Sequence, residues 1–462
     1  LRLNGDEAIY LLITEQIDAL LMGGLPTLNP VIDYAGPLDF WLMGSLYALT
    51  GWAGFDAGPW MVRIVPLVAY WLGTIYLALE LAQESPRRAH FYLAVAALTP
   101  MALVFSRVAF PHSLLLGGFS FLLAEMLRAE RTGQIRLMRM AAVLGVCAEA
   151  HSTAFFGALV IGIPLLPLLG RLLLHPNSRA KSAISLGGAL LIFFALSYSV
   201  LRNFPPPVAD LDERGGKFIF QLRSLVNVVT GYQPFSFLFG SDIGTAAVNV
   251  AILIFLIALG VIFSRALKRD LTFRARTGPL LLSHLLVSGL LLVFCHRGRS
   301  LEMLGHERYF LAVVPGWMLL QTIALEHWAS GKWTSAAAGL IGLFQALRFF
   351  GPLALANPND DSSWQASRWL VQNCRKTQCI ALVDNFWSYW PIRYYTRDSI
   401  AVAAAGHNWK KVAPLALKSG DTIAGCWFEI PQGGGPSTQD LLHLRGDPVN
   451  FSGQICQMGT YQ

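Results

Sequence analysis

Residues 152–170 read STAFFGALVIGIPLLPLLG, a run without a single charged side chain. A helix of about 20 apolar residues crosses a hydrocarbon core about 30 Å thick, and its own hydrogen bonds satisfy its backbone there. Comparable runs recur at 60–82, 91–106, 112–127, 140–150, 183–201, 246–264, 279–295, 309–325 and 335–350. The runs 140–150 and 152–170 read as a hairpin of two short spans with His151 at its tip. The pattern predicts an all-α polytopic transmembrane bundle. Composition agrees, since 54% of the 462 residues are hydrophobic and only 14% charged, against about a quarter charged in soluble domains.

The net charge of +7 sits in short loops between the apolar runs, which argues against a nucleic-acid surface. Arg87 and Arg88 form one cluster, and Arg128, Arg131, Arg136 and Arg139 a second. Arg171, Arg179 and Lys181 follow, then Arg265, Lys268, Arg269, Arg274 and Arg276. The positive-inside rule makes these loops cytoplasmic. Alternation then places outside 1–58, the turns near 107–112 and 151, the loops 203–245 and 296–307, and the tail 353–462. The chain begins with Leu1, and a cytoplasmic start would need one further span before it to bring Asp6 outside; that span is expected.

Three regions follow. Residues 1–58 read as an external segment with interfacial helices near 7–21 and 38–50, 59–352 as the bundle, and 353–462 as a small extracytoplasmic α/β domain. In the tail a helix is expected near 363–374 and strands near 379–384, 399–404 and 422–430, with Gly433-Gly434-Gly435-Pro436 as a loop. Cys147 and Cys295 fall within spans, while Cys374, Cys379, Cys426 and Cys456 fall in the tail. An even number in an oxidising space makes disulfides plausible, with three connectivities open. Metal binding by the four is the rival, although no paired C-x-x-C spacing supports it.

Two stretches carry chemistry. Asn4-Gly5-Asp6-Glu7-Ala8 stands before an apolar helix. Asp6 reads either as that helix's N-cap, with Glu7 complementing its dipole, or as an external general base on an acceptor hydroxyl. Arg63 starts the next span, and Ser106-Arg107 closes another at the same external level. The second stretch is His296-Arg297-Gly298-Arg299 with His306-Glu307-Arg308-Tyr309-Phe310. Interfacial anchoring explains Arg297 and Arg299 as well as ligand binding does. Arg308 opens an apolar helix directly, at the depth where a guanidinium grips a lipid phosphate. His151 is similarly placed, or is a polar turn residue.

In order and sidedness these motifs resemble the membrane-embedded C-type glycosyltransferases (the GT-C fold): an external Asp-Glu, Gly36-Pro37-Leu38 about thirty residues on, Arg63, Ser106-Arg107, and Glu307-Arg308-Tyr309-Phe310-Leu311-Ala312-Val313-Val314-Pro315. The similarity extends to about residue 352 and is greatest to the branch of protein O-mannosyltransferases and the bacterial aminoarabinose transferases that modify lipid A. It implies a polyprenyl-phosphate-sugar donor, a lipid, glycan or protein acceptor, and an active site on the periplasmic side of the inner membrane. It implies Asp6 as catalytic base with Glu7 beside it, and Arg308, Tyr309 and Arg107, joined by Arg297 and Arg299, around the donor phosphate. His112, His151, Glu307 and Arg63 would contact substrate. Two departures matter: His112 stands where many relatives carry an acidic residue after the Ser-Arg, and position 151, often Lys, is His. His112 either replaces that acidic group or faces solvent at the turn, which weakens the case for a second catalytic acid and leaves a divalent cation without a clear ligand set. Rival functions are a transporter, flippase or ligase of lipid-linked saccharides; a transporter usually shows internal repeats, and none is found here.

Overall fold

The computed structural model describes residues 11–12, 14, 38–54, 59–106, 111–174, 176–202, 257, 260–261, 264–265, 267–268, 271–297, 309–328, 362–377, 379–383, 386–396, 399–404, 418–428, 442–451 and 454–461. They fall into two compact units, Gln16–Pro352 and Leu353–Gln462, the latter together with Leu1–Glu15.

The larger unit is helical. Its described helices are α1 Leu38–Trp52, α2 Pro59–Ala82, α3 Pro86–Leu98, α4 Pro100–Phe105, α5 Leu114–Thr132, α6 Leu137–Ala150, α7 Ala154–Leu174, α8 Pro176–Leu196, α9 Tyr198–Arg202, α10 Leu271–Arg297 and α11 Val314–Trp328. The boundaries have local causes. Ser85 caps α3 by accepting the Arg88 amide at 3.2 Å, with Pro86 in the first helical position. Thr99 precedes Pro100 and is forced extended, which separates α3 from α4 within the expected 91–106 run. Gly133, at φ 71°, closes α5 in the left-handed conformation. The expected hairpin is present as two helices broken at 151–153. The expected runs at 246–264 and 335–350 lie wholly or largely outside the described residues.

Among the described residues two helices, Arg63–Ala82 and Ala154–Leu174, are long and apolar enough to cross a membrane, and Ala180–Leu196 and Thr277–Leu291 are shorter apolar helices. Large apolar side chains point outward from these helices: Leu72 is 64% exposed, Leu166 60%, Leu191 72% and Leu282 63%. Such a surface needs an apolar solvent or partner around it.

The tightest joint is between α2 and α5. A Cβ on Gly117 would overlap the carbonyl of Ala69, and one on Gly73 would overlap the carbonyl of Gly117. The backbones therefore touch, as small residues permit in membrane helix pairs. Gly117→Ala is expected to destabilise the unit by about 1–3 kcal/mol through overpacking, read as a lowered unfolding temperature in detergent; an unchanged temperature would remove the joint from the account.

Successive contacts show that α2 and α5 run parallel: Gly73 meets Gly117, Tyr76 stacks on Phe121, and Glu80 pairs with Arg131. The Arg clusters gather at one end of the unit. The Glu125 carboxylate is buried there, accepts from Tyr76 Oη at 2.7 Å, and lies 3.3 Å from Arg139 and 3.8 Å from Arg136. Arg88 bonds Glu84 at 2.7 Å and Glu326 at 2.5 Å, tying the start of α3 to the end of α11. The loop arginines thus stitch helix ends together, each exposed pair worth about 0–1 kcal/mol.

The smaller unit contains α12 Ser362–Thr377, β1 Ile380–Val383, α13 Phe386–Thr396, β2 Val402–Ala404, β3 Thr422–Phe428, β4 Leu442–Phe451 and β5 Gln454–Tyr461. The sheet order is β2-β1-β3-β5-β4, parallel across the first three strands and antiparallel beyond. Leu382, Ala403, Ile423 and Leu442 form its core, and α12 buries Ala366, Leu370 and Cys374 at helical spacing. Burial raises the pKa of the Tyr389 phenol in α13, opposed by the Arg393 guanidinium, which donates to its oxygen at 3.0 Å.

Of the three connectivities open to the tail cysteines, the structure takes Cys374–Cys379 and Cys426–Cys456. The second bridges directly opposed residues of β3 and β5. By loop-closure entropy it stabilises the folded tail by about 3–4 kcal/mol and the shorter loop by about 2. Replacing Cys426 and Cys456 with Ser should therefore lower the tail's unfolding midpoint more than replacing Cys374 and Cys379, as read by limited proteolysis against urea. Equal midpoints for the two variants would show that loop length does not set what each bridge contributes.

Candidate functional site

Opposite the Arg-rich end, three turns from distant parts of the sequence converge. The first is the 3-10 turn Pro111–Ser113 leading into α5, the second the break 151–153 between α6 and α7, the third the turn at 309–313 before α11. Each exists because its helix must start or stop there. His151 is the extended C-cap of α6, and its amide still donates to Cys147.

The turns bring His112, His151 and Tyr309 together. The imidazoles of His112 and His151 stack with centroids 3.8 Å apart and planes 29° from parallel. The Tyr309 ring lies 5.7 Å from His112 and 5.4 Å from His151, tilted against both. Both histidines are buried and Tyr309 is half-buried. The His151 ring is oriented by its own turn: Nδ1 accepts the Thr153 backbone N–H at 3.1 Å and lies 2.9 Å from Thr153 Oγ1. A neutral His151 therefore carries its proton on Nε2.

Three of the residues expected at the site from sequence thus share one cluster. Arg63, half-buried near the start of α2, belongs to the same end because α2 runs parallel to α5. Arg297 is the last residue of α10. Asp6, Glu7, Arg107, Arg299, Glu307 and Arg308 lie outside the described residues. Arg308 is bonded covalently to Tyr309, and Arg107 stands five positions before His112. No group of three His, Cys, Asp or Glu side chains that could hold a metal ion occurs among the described residues.

Sequence reasoning listed His112 and His151 separately and missed their contact, since their sequence separation carries no period or motif. It also passed over His284 in α10. That ring is fully buried, Nδ1 donates to the Leu280 carbonyl at 2.7 Å, and Trp317 of α11 packs on it edge to face. The neighbouring Ser283 hydroxyl is 3.2 Å from the Val160 carbonyl, so this polar patch binds α10 to α7 and α11.

No family model and no curated protein sequence matches the chain. Solved structures do. Two crystal structures of ArnT from Cupriavidus metallidurans, one bound to undecaprenyl phosphate and one in the apo state, superpose with a TM-score of 0.58. The match covers 98% of this chain and 93% of that one at 14% sequence identity. The fold of this chain is therefore that of ArnT along nearly its whole length.

Proposed function

We propose that the protein is a multi-pass inner-membrane glycosyltransferase that moves a sugar from a polyprenyl-phosphate donor to an acceptor hydroxyl on the periplasmic face. One observation carries the reading: a fold shared with ArnT along nearly the whole chain, with His112, His151 and Tyr309 gathered where the motif residues Arg107 and Arg308 adjoin them in sequence. The outward apolar side chains support a lipid environment, and paired tail cysteines suit an oxidising compartment.

The mechanism is a single inverting displacement. Asp6 removes the acceptor proton, the hydroxyl oxygen attacks the anomeric carbon, and the bond to the phosphate oxygen breaks. Polyprenyl phosphate leaves with one more negative charge, so fixed positive groups aimed at it stabilise the transition state more than the bound donor. Arg308, Tyr309 and Arg107 hold the phosphate, with Arg297 and Arg299 beside them. Glu7 supports Asp6, while His112, His151, Glu307 and Arg63 contact substrate. The donor's lipid chain extends into the membrane.

Purified full-length protein incubated with undecaprenyl-phosphate sugars and candidate acceptors should yield a new glycosidic bond and free undecaprenyl phosphate by mass spectrometry. Translocation of the lipid-linked saccharide without bond formation would replace this reading with a flippase or transporter.

A further inference from the structure

Arg136 and Arg139, where α6 begins, both approach one oxygen of Glu125, at 3.8 Å and 3.3 Å. The carboxylate is buried, while the two arginine side chains stay 41% and 46% exposed. One carboxylate neutralises one guanidinium, so the pair keeps a unit of positive charge open to its surroundings. Arg128 and Arg131 share Glu80 in the same way. With exposed Glu130 counted, four arginines stand against three carboxylates around the turn from α5 to α6.

Arg139 is also held in place. Its guanidinium carbon lies 4.7 Å from the centre of the Phe121 ring and 5.5 Å from that of Tyr76. These contacts fix a long side chain before any ligand arrives, which a freely snorkelling arginine lacks. Tyr76 itself stacks on Phe121 and borders an apolar stripe of α2. Ile64, Val68, Leu72, Ile75 and Leu79 recur there at helical spacing, all exposed. From Ile64 to Leu79 the stripe is about 22 Å long, enough to line one leaflet of a core about 30 Å thick.

We propose that Arg136 and Arg139, with Tyr76 and Phe121 under the second of them, seat an anionic phospholipid of the leaflet at this end of the bundle. Its phosphodiester lies on the guanidiniums and its acyl chains lie along the α2 stripe. The seat is at the end opposite the histidine cluster and holds a resident lipid. With the reading under Proposed function it shares only the membrane placement of the chain. A phosphodiester with a neutral headgroup brings one negative charge, matching the surplus, and accepts paired N–H contacts from a guanidinium. A zwitterionic phospholipid carries its own cation into the same surplus and gains less. Free phosphate gains nothing from the stripe.

The full chain in non-ionic detergent, titrated with phosphatidylglycerol or with phosphatidylcholine of the same acyl chains and read by native mass spectrometry, tests this. Each arginine beside an anionic headgroup contributes about fivefold in affinity, so wild type should prefer phosphatidylglycerol by about 30-fold. Arg136→Gln/Arg139→Gln should bind the two lipids alike. That variant leaves buried Glu125 without either cation, so Arg136→Gln alone, which keeps Arg139 on Glu125, is the second test. It should lose about fivefold for phosphatidylglycerol and nothing for phosphatidylcholine. Equal binding of both lipids by wild type, or an undiminished preference in Arg136→Gln, would overturn the seat while leaving the membrane placement intact. Protein that stays soluble without detergent and binds neither lipid would overturn both. Glycerol phosphate should compete only far above the lipid's concentration; equal competition would make the ligand a free phosphate and overturn the lipid assignment.

Discussion

Asp6→Asn protein is expected to fold, bind donor and transfer sugar about 100-fold more slowly or worse, the range a lost general base gives. The substitution separates the two readings of Asp6. Asn is as good an N-cap as Asp, so a residue that only caps tolerates the change at a cost of about tenths of a kcal/mol. A base does not, because the amide cannot accept the acceptor's proton at working pH. Glu7→Gln should be milder, as Glu7 only supports. The measurement is single-turnover transfer with a donor-binding control. Near-normal transfer by well-folded Asp6→Asn protein would end the catalytic assignment.

Arg308→Ala should cost about 2–5 kcal/mol of donor affinity, the penalty for deleting one partner of a desolvated charge-assisted contact. Arg308→Lys should recover only part, since an ammonium cannot make the paired N–H contacts of a guanidinium. Equal donor binding by wild type and Arg308→Ala, titrated with the same lipid, would remove Arg308 from the site.

The helices were legible as long apolar runs, whereas the break at Thr99-Pro100 inside the expected run 91–106 and the caps at Pro86 and Gly133 are local sterics that hydropathy does not register. The tail was legible only in part. The helix at 362–377 and the strands at 380–383, 402–404 and 422–428 carry the expected periodicities. The hairpin of β4 and β5 was missed because β4 is mostly exposed and its apolar alternation, Leu442 and Leu444 then Val449 and Phe451, is broken by Gly446 and Pro448 at a register shift. Helix α13 was missed because Phe386, Trp387, Tyr389 and Trp390 have strand propensity and Pro391 interrupts them. The individual site residues were readable as charged or polar groups beside apolar runs. Their juxtaposition was not, since stacking of His112 on His151 depends on how α5 and α6 pack.

The contact of Gly73 with Gly117 also orders events during synthesis. The two helices it joins are separated by α3 and α4, so α2 must wait, its seat unmade, until α5 has been delivered. Until then Glu80 lacks Arg131 and Tyr76 lacks Glu125, leaving a carboxylate and a phenol stranded at the end of a half-built bundle. A ribosome stalled before α5 has left its exit tunnel would present quality-control proteases with that unfinished surface, and one stalled after α5 has emerged and packed would not.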